Sequence, residues 1–335
     1  MADLRINRVR LWQCLWVAFS VPLMSAVESQ VTPINRYPNH ALRLVIPSAP
    51  GGGTDLIARL TAQKLNDRWG YPVIVENMSG AATTLGTQAV VRSAPDGNTF
   101  LMTTVNFAFI PAIHTHLPYD PAKDLIPVIK VATQWSVLAI HPQLPVYSVK
   151  ALIAMAKKNP NQIRYSTGGM GSVGHLSSAL FAHMAGIELL NVPYKGTGPG
   201  LVALMSGEVQ MVIVNLAAAL PYIQSGKLRA LAVTSLKRSD LLPQIPTLND
   251  SGVTGYEFGG WYGVWLPAKT PLAIVEKLNN GFNQVLEEAT LRERFLVLGI
   301  EPVGGSAQIF SQFVNAQFSL WQTVARQAKI NINAL

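Results

Sequence analysis

Short apolar runs alternate with stretches of helical period along most of this chain. Leu42–Ile46 is a strand candidate that runs into PSAPGGGTD at Pro47–Asp55. A helical pattern follows over about Thr54–Trp69, where Ile57, Leu60, Lys64 and Leu65 keep the i, i+3, i+4 spacing in part. Gly70 and Pro72 end it. Val73–Val75 is a second strand, the loop ENMSGAATTLG follows, and a helix is expected over about Leu85–Ser93. After the turn at Ala94–Gly97, Phe100–Thr103 reads as a third strand. A similar series restarts mid-chain. Ser148–Lys158 is a helix with Ser148 as its cap, and Ile163–Ser166 a strand running into TGGMGSVG and the helix HLSSALFAHMAG. Leu190–Pro193 is a strand, YKGTGPG a loop, and Leu201–Ser206 a helix. Val209–Val214, Leu228–Thr234 and Trp261–Leu266 are strands, and two helices over about Pro271–Ala289 and Ala307–Ala328 close the series.

Strands alternating with helices predict an α/β protein with parallel pairing. Two such halves predict two domains, as does the length of 335 residues. A chain that leaves one domain, builds the second and returns crosses twice. The candidate crossings are Val128–His141 and Leu231–Leu266. Paired crossings form a hinge, which suits closure around a ligand.

Composition narrows the classes. Hydrophobic residues make up 49% and charged residues 13%, a folded rather than disordered balance. The formal charge is +8, but Arg5, Arg8 and Arg10 lie at the extreme N-terminus and the rest are scattered. Nucleic-acid binding wants a clustered basic stripe, so no nucleic-acid partner is expected. A mildly positive field favours anions. Those arginines precede an apolar stretch from Leu11 to about Met24, then Ser25 and Ala26. This reads as an export signal cleaved near Ala26 or Ser29, with an uncleaved anchor as the competing reading. The single cysteine, Cys14, lies inside it, so neither disulfide nor thiol chemistry is expected of the mature chain.

Four loops between strand and helix carry the candidate chemistry. In Pro47–Asp55, three consecutive glycines leave backbone N–H groups unshielded ahead of a helix start, a physical anion site, although a mere tight turn fits equally. Asn77–Gly86 offers small side chains and hydroxyls, for a polar ligand or for capping. Thr167–Gly174 holds Gly169, Gly171 and Gly174 in dinucleotide-fingerprint spacing. The next strand ends in Tyr194 and Lys195 rather than the acid that a ribose needs, which argues against a dinucleotide cofactor. Tyr194–Gly200 supplies a ring, a charge and a hydroxyl, and Lys195 reads equally as a solvated surface lysine. There is no Walker A loop, no nucleophile elbow and no readable nucleophile–base set. His114 and His116 read as turn residues rather than metal ligands. No enzyme activity, cofactor or metal is expected.

Taken in series, IPSAPGGGTDLIARLTAQKL, PVIVENMSGAATTLG, SAPDGNTFLM, YSTGGMGSVGHLSSALF, NVPYKGTGPGLVALMSGEVQMVIVN and WYGVWLPAKTP resemble the tripartite tricarboxylate transporter substrate-binding proteins, the Bug family. The resemblance covers about Leu42–Trp321. It implies an exported, monomeric periplasmic-binding-protein fold of the Venus flytrap kind, with two hinge crossings. The implied division is a signal at 1–26, domain 1 over 38–135 and 236–335, and domain 2 over 136–235. It also implies capture of a small organic acid in the periplasm for the permease subunits of a tripartite tricarboxylate-type transporter. A ligand-presenting partner of an extracytoplasmic sensor, or an enzyme acting on an acidic metabolite, are the alternatives.

The implied ligand set is Ser48, Ala49, Pro50, Gly51, Gly52 and Asp55 in the first loop, and Gly80, Ala81, Ala82, Thr83 and Thr84 in the second. Facing these are Ser166, Gly168, Gly171, Ser172 and His175, then Tyr194, Lys195, Gly196, Thr197 and Asn215. Two departures stand out. The family usually carries glycine at positions 82 and 83, and often acids at 210 and 214, where this chain has Ala82, Thr83, Gln210 and Val214.

Overall fold

In the computed structural model, residues 37–327 are described, apart from residues 115 and 170 and the side chains of residues 82 and 327. The expected export signal lies outside the described residues.

The chain builds β1 (Leu42–Ile46), α1 (Gly53–Trp69), β2 (Val73–Asn77), a short 3-10 turn at Ala81–Thr83, α2 (Thr84–Val91), β3 (Thr99–Thr104) and α3 (Asn106–Ile113). A long strand, β4 (Leu125–Ile140), leads to α4 (Val149–Lys158), β5 (Arg164–Thr167), α5 (Val173–Ala185), β6 (Leu190–Pro193) and α6 (Thr197–Met205). β7 (Met211–Asn215), α7 (Leu216–Gln224) and β8 (Arg229–Val233) complete the second half. The chain then returns through β9 (Gly259–Pro267), α8 (Leu272–Leu286), α9 (Ala289–Val297), β10 (Ile300–Pro302) and α10 (Ala307–Gln327).

The pairing is mixed rather than all parallel. β1 pairs in parallel with β2 and β3, and β5 with β6 and β7. β9 runs antiparallel between β3 and β4, and β7, β8 and β10 pair antiparallel to β4. The antiparallel members follow from the return path, because β9 enters the first domain from the hinge end. β4 is the shared element. Its first part, Leu125–Trp135, pairs with β9, and its last part, Ser136–Ile140, pairs with β7. Along that last part alternate side chains serve different layers: Val137 and Ala139 face the core under α6 and α7, and Leu138 and Ile140 the core under α4 and α5.

The sequence expectation contained only a crossing at Val128–His141, and the apolar run is instead one continuous strand. α3 and α7 were not expected either. Each carries an internal proline, Pro111 and Pro221, which reads as a helix stop. The single helix expected over Pro271–Ala289 is two, α8 and α9, broken at Glu287–Glu288.

A second crossing joins β8 to β9. Where it leaves the second domain it is tied to β4 by one side chain. Thr234 Oγ1 accepts from Ser136 N–H (2.9 Å) and donates to Ser136 O (3.1 Å), and Thr234 N–H also reaches Ser136 O (3.0 Å). Phe258 N–H then bonds Thr234 O (3.1 Å). Residues 247–256, sequence-assigned to the return segment, make their contacts in the second half. Val233 bridges Thr247, and the Tyr256 hydroxyl donates to Ser177 O (2.8 Å) on α5. The return to the first domain therefore falls at Phe258–Gly259, later in the chain than position 236.

Thr234→Val keeps the shape and deletes the hydroxyl, leaving the buried Ser136 N–H unpaired. The expected loss is about 1–3 kcal/mol of unfolding free energy, measured by urea denaturation. An unchanged midpoint would remove this pair from the hinge.

Candidate functional site

The first loop follows β1, and its shape comes from a buried carboxylate. Asp55 is 5% exposed. Its oxygens accept from Gly51 N–H (3.0 Å), Asn77 Nδ2 (3.0 Å) and the Nε and Nη2 of Arg59 (3.1 and 3.0 Å). Arg59, with help from Gly51 and Asn77, holds the carboxyl below its usual range against the opposing effect of burial. Asn77 Nδ2 also donates to Ser48 O (3.2 Å), joining the second strand's end to the loop. The Asp55 carboxylate is thus occupied inside the protein: it shapes the loop. The donors that remain belong to the start of α1, whose N-cap is Gly52 with no side-chain cap. The first N–H groups of such a helix have no intrahelical acceptor and carry the positive end of its dipole.

The second loop packs against the first. A Cβ at Gly86 would sit 2.8 Å from Met78 O and 2.9 Å from Pro47 Cβ, so only glycine permits this approach. The loop contains two left-handed non-glycine residues, Ala81 at φ 45° and Thr83 at φ 79°. Side chains rarely adopt such angles, and a β-branched one least of all, so Thr83 is held there against strain. The Thr87 hydroxyl donates to Thr83 O (2.9 Å), and the Tyr119 hydroxyl engages Thr84 and Thr87.

The third and fourth loops follow β5 and β6 and also touch each other. A Cβ on Gly168 would lie 3.4 Å from Gly196 C and 3.5 Å from Thr197 N. Ser172 caps α5 by accepting from His175 N–H (3.3 Å). His175 in turn accepts from Gly171 N–H at Nδ1 (3.2 Å). The ring is 4% exposed, and burial pushes its pKa down to about 4. It is therefore neutral, with its proton on Nε2. The Tyr194 hydroxyl donates to Glu208 (2.7 Å), Lys195 is exposed, and α6 begins at Gly196 with no side-chain cap. Asn215 caps α7 through Oδ1 (Ala218 N–H, 3.1 Å).

The predicted residues therefore divide. Asp55, Ser172, His175 and Tyr194 have their polar atoms engaged in shaping the loops. Ser48 Oγ, Ser166 Oγ and Asn215 Nδ2 are buried with no partner among the described residues. In the strand order the first loop pair lies beyond β9 and β3 on one side of β4, and the second pair beyond β7 on the other. The domains approach at Gly171, where a Cβ would be 3.6 Å from the Phe109 ring and 3.9 Å from Asn106 Oδ1. Sequence reasoning missed Asn77, Arg59, Asn106 and Phe109 as contributors. Only Asn77 had a signal, its place at the end of β2. Of the departures, Gln210 is remote from the loops: its Oε1 accepts from Arg164 N–H (3.0 Å) at the opposite ends of β7 and β5. Among the described residues no group of three potential metal ligands occurs.

Comparisons with known proteins give the family and the fold. The profile of the tripartite tricarboxylate transporter family receptors, TctC, matches residues 57–330. The chain belongs to that family. It is similar to the protein BugT of Bordetella pertussis, 35% identical over 96% of this chain and 98% of that one. Among solved structures it is similar to Rpa4515 of R. palustris, described with adipate (37% identity, TM-score 0.75, 88% of this chain and 99% of that one). It is also similar to MatC of Rhodopseudomonas palustris, described with bound malate (29%, TM-score 0.72, 86% and 99%). Family membership makes the chain a transporter-receptor binding protein rather than an enzyme, and the α/β two-domain binding-protein fold is the expected one.

A pH dependence follows from His175. Its folded pKa of about 4 lies below the ordinary 6.5. The fold therefore favours the neutral ring, a contribution present in full above about pH 6.5 and lost as pH falls toward 4, worth about 3 kcal/mol. Urea midpoints across that range should fall more steeply for the native protein than for His175→Asn, which keeps an acceptor near Nδ1 and does not titrate. Equal slopes would exclude His175 as the cause.

Proposed function

We propose that this protein captures a small organic acid in the periplasm and delivers it to the membrane subunits of a tripartite tricarboxylate-type transporter. The observation that carries the reading is the start of α1: an uncapped helix N-terminus, preceded by Gly51 and Gly52, in a loop already fixed by Asp55 and Asn77. Such a terminus stabilises a carboxylate without a cationic side chain. The start of α6 at Gly196 supplies similar donors from the other domain. A ligand touching both domains favours the closed form by its extra contacts. The adipate and malate described with relatives support an acid of this size. The ligand set is the loop backbone at residues 48–52 and 80–84, the second-domain loops at 166–175 and 194–197, and Asn215. The chain acts as a monomer.

Val214, where the family often carries an acid, lies in the apolar core under α6 and α7 beside Asn215. Without a negative group there, we assign the site to acids that lack an amine. A thermal-shift screen of mono-, di- and tricarboxylates tests this, since a ligand at 100 times its Kd adds about 2.7 kcal/mol of stability. Adipate-like acids should raise the Tm and aspartate or glutamate should not. Strongest stabilisation by an amino acid would overturn the assignment.

Gly52→Val tests the anion cradle. The nearest atom to a Cβ there is Ala49 O at 3.6 Å, so the fold accommodates it. The branched side chain covers the α1 N-terminus. The expected result is an unaltered Tm without ligand and at least a tenfold loss of affinity for the best acid of the screen. Normal affinity would remove the α1 terminus from the site.

A further inference from the structure

The glycines of the first loop have one side chain close beside them. A Cβ at Gly51 would meet nothing within 4 Å, and one at Gly52 only Ala49 O (3.6 Å). At Gly53, the first residue of α1, a Cβ would lie 2.9 Å from the Tyr262 hydroxyl oxygen. The bare glycine leaves room for that hydroxyl at the helix start.

Tyr262 reaches this point from β9. It pairs with Thr104 at the end of β3 and with Ala132 on β4. It is therefore level with the carboxyl end of a strand in the parallel part of the sheet, the edge outside which open α/β sheets hold their ligands. Side chains alternate along β9. Trp261 and Trp265 enter the core that holds α3 and α10, and Tyr262, Val264 and Leu266 enter the core that holds α1 and α8. Tyr262 is the first of its row, so its ring packs in the core while its hydroxyl emerges beside α1. The residue is 6% exposed. Burial pushes its pKa up to about 12, so the phenol keeps its proton. In this state the proton is donated to Gln134 Oε1 on β4 (3.2 Å).

We propose that Tyr262 is a ligand-contacting residue of the carboxylate site: its hydroxyl leaves Gln134 and donates to the acid held at the start of α1. The proposal rests on the reading of that helix start as the acid's binding site. A hydrogen bond to an ionised carboxylate is roughly twice as strong as one to a neutral amide oxygen, so the acid outcompetes Gln134 for the single proton. Gln134 is half-buried and exchanges the lost bond for water. The ring is already fixed by the core, so little side-chain freedom is lost on binding. The N–H groups of α1 set no direction around the helix axis. A hydroxyl fixed on one side of that axis does, and it orients the acid.

Calorimetry with adipate on the full chain separates contact from support. Tyr262→Phe keeps the ring and should bind adipate about tenfold more weakly. Gln134→Met removes the competing acceptor and should bind at least as tightly as the native protein. A pair that merely held the loop would weaken binding alike in both variants, and that result would overturn the proposal. Gly53→Ala adds a readout that needs no ligand. In the native protein its Cβ crowds the hydroxyl, so the Tm should fall. In Tyr262→Phe the nearest atom becomes the ring Cζ at 3.8 Å, an ordinary contact, and the same substitution should leave the Tm in place. An equal fall in both backgrounds would put the hydroxyl away from α1 and end the assignment. Native affinity in Tyr262→Phe would remove the contact and leave the carboxylate reading standing. Failure of every acid of the screen to bind the native protein would remove that reading, and the role of Tyr262 with it.

Discussion

Sixteen residues of backbone, Leu125–Ile140, have to satisfy two sheets at once. The first part of β4 gives its hydrogen bonds to β9 and β10, and the last part gives them to β7 and β8. Everything else in the molecule is arranged around that division. It fixes the pivot at Trp135–Ser136, where the pairing partner changes from β9 to β7. It also accounts for the polar pair at the changeover. Where the partner strands change over, Ser136 has no continuous ladder on both sides, and the Thr234 side chain supplies the missing donor and acceptor. A buried N–H left open there would be costly.

The loops show a consistent economy. Ionisable and aromatic side chains at the Gly-rich loops hold backbone in place, and in the proposed function it is this backbone that would meet the ligand. Asp55 fixes Gly51, His175 fixes Gly171, and Tyr194 is tied to Glu208. A neutral imidazole suits this task because burial keeps it uncharged at ordinary pH. A binding protein gains from such an arrangement. In the proposed function, neutral donors would bind an acid reversibly, whereas a buried cation left unpaired by release would carry a large desolvation cost.

Much of this architecture was legible in the sequence, and the failures have physical causes. The strand–Gly-loop–helix units stood out because each strand is a short apolar run cut by glycine, and β1, β5 and β6 fall at or within a residue of where the pattern put them. β4 was obscured because its apolar residues serve both faces of two sheets and so show no alternation. α3 and α7 were obscured by Pro111 and Pro221, which sit inside short helices held by tertiary packing. At the candidate site, glycine spacing located the loops but could not separate residues that shape a loop from those left open to a ligand. That distinction depends on partners distant in sequence, such as Asn77 for Ser48. The left-handed angle of Thr83 had no signal in the residue itself, only in the glycine that the family usually carries there.

The order of β9 and α10 along the chain has a consequence for how the molecule comes into being. β9 sits between β3 and β4 in the first sheet, and α10 buries Trp321 against Phe109 and Phe258. During synthesis the N-terminal domain therefore waits for strands and helices made nearly last, after the whole second domain. Its central gap cannot be filled locally, and closing it requires contacts of long sequence separation, which form slowly. The first sheet is complete only once β9 has been made, and the packing of Trp321 on Phe109 and Phe258 only once the C-terminal helix has been made.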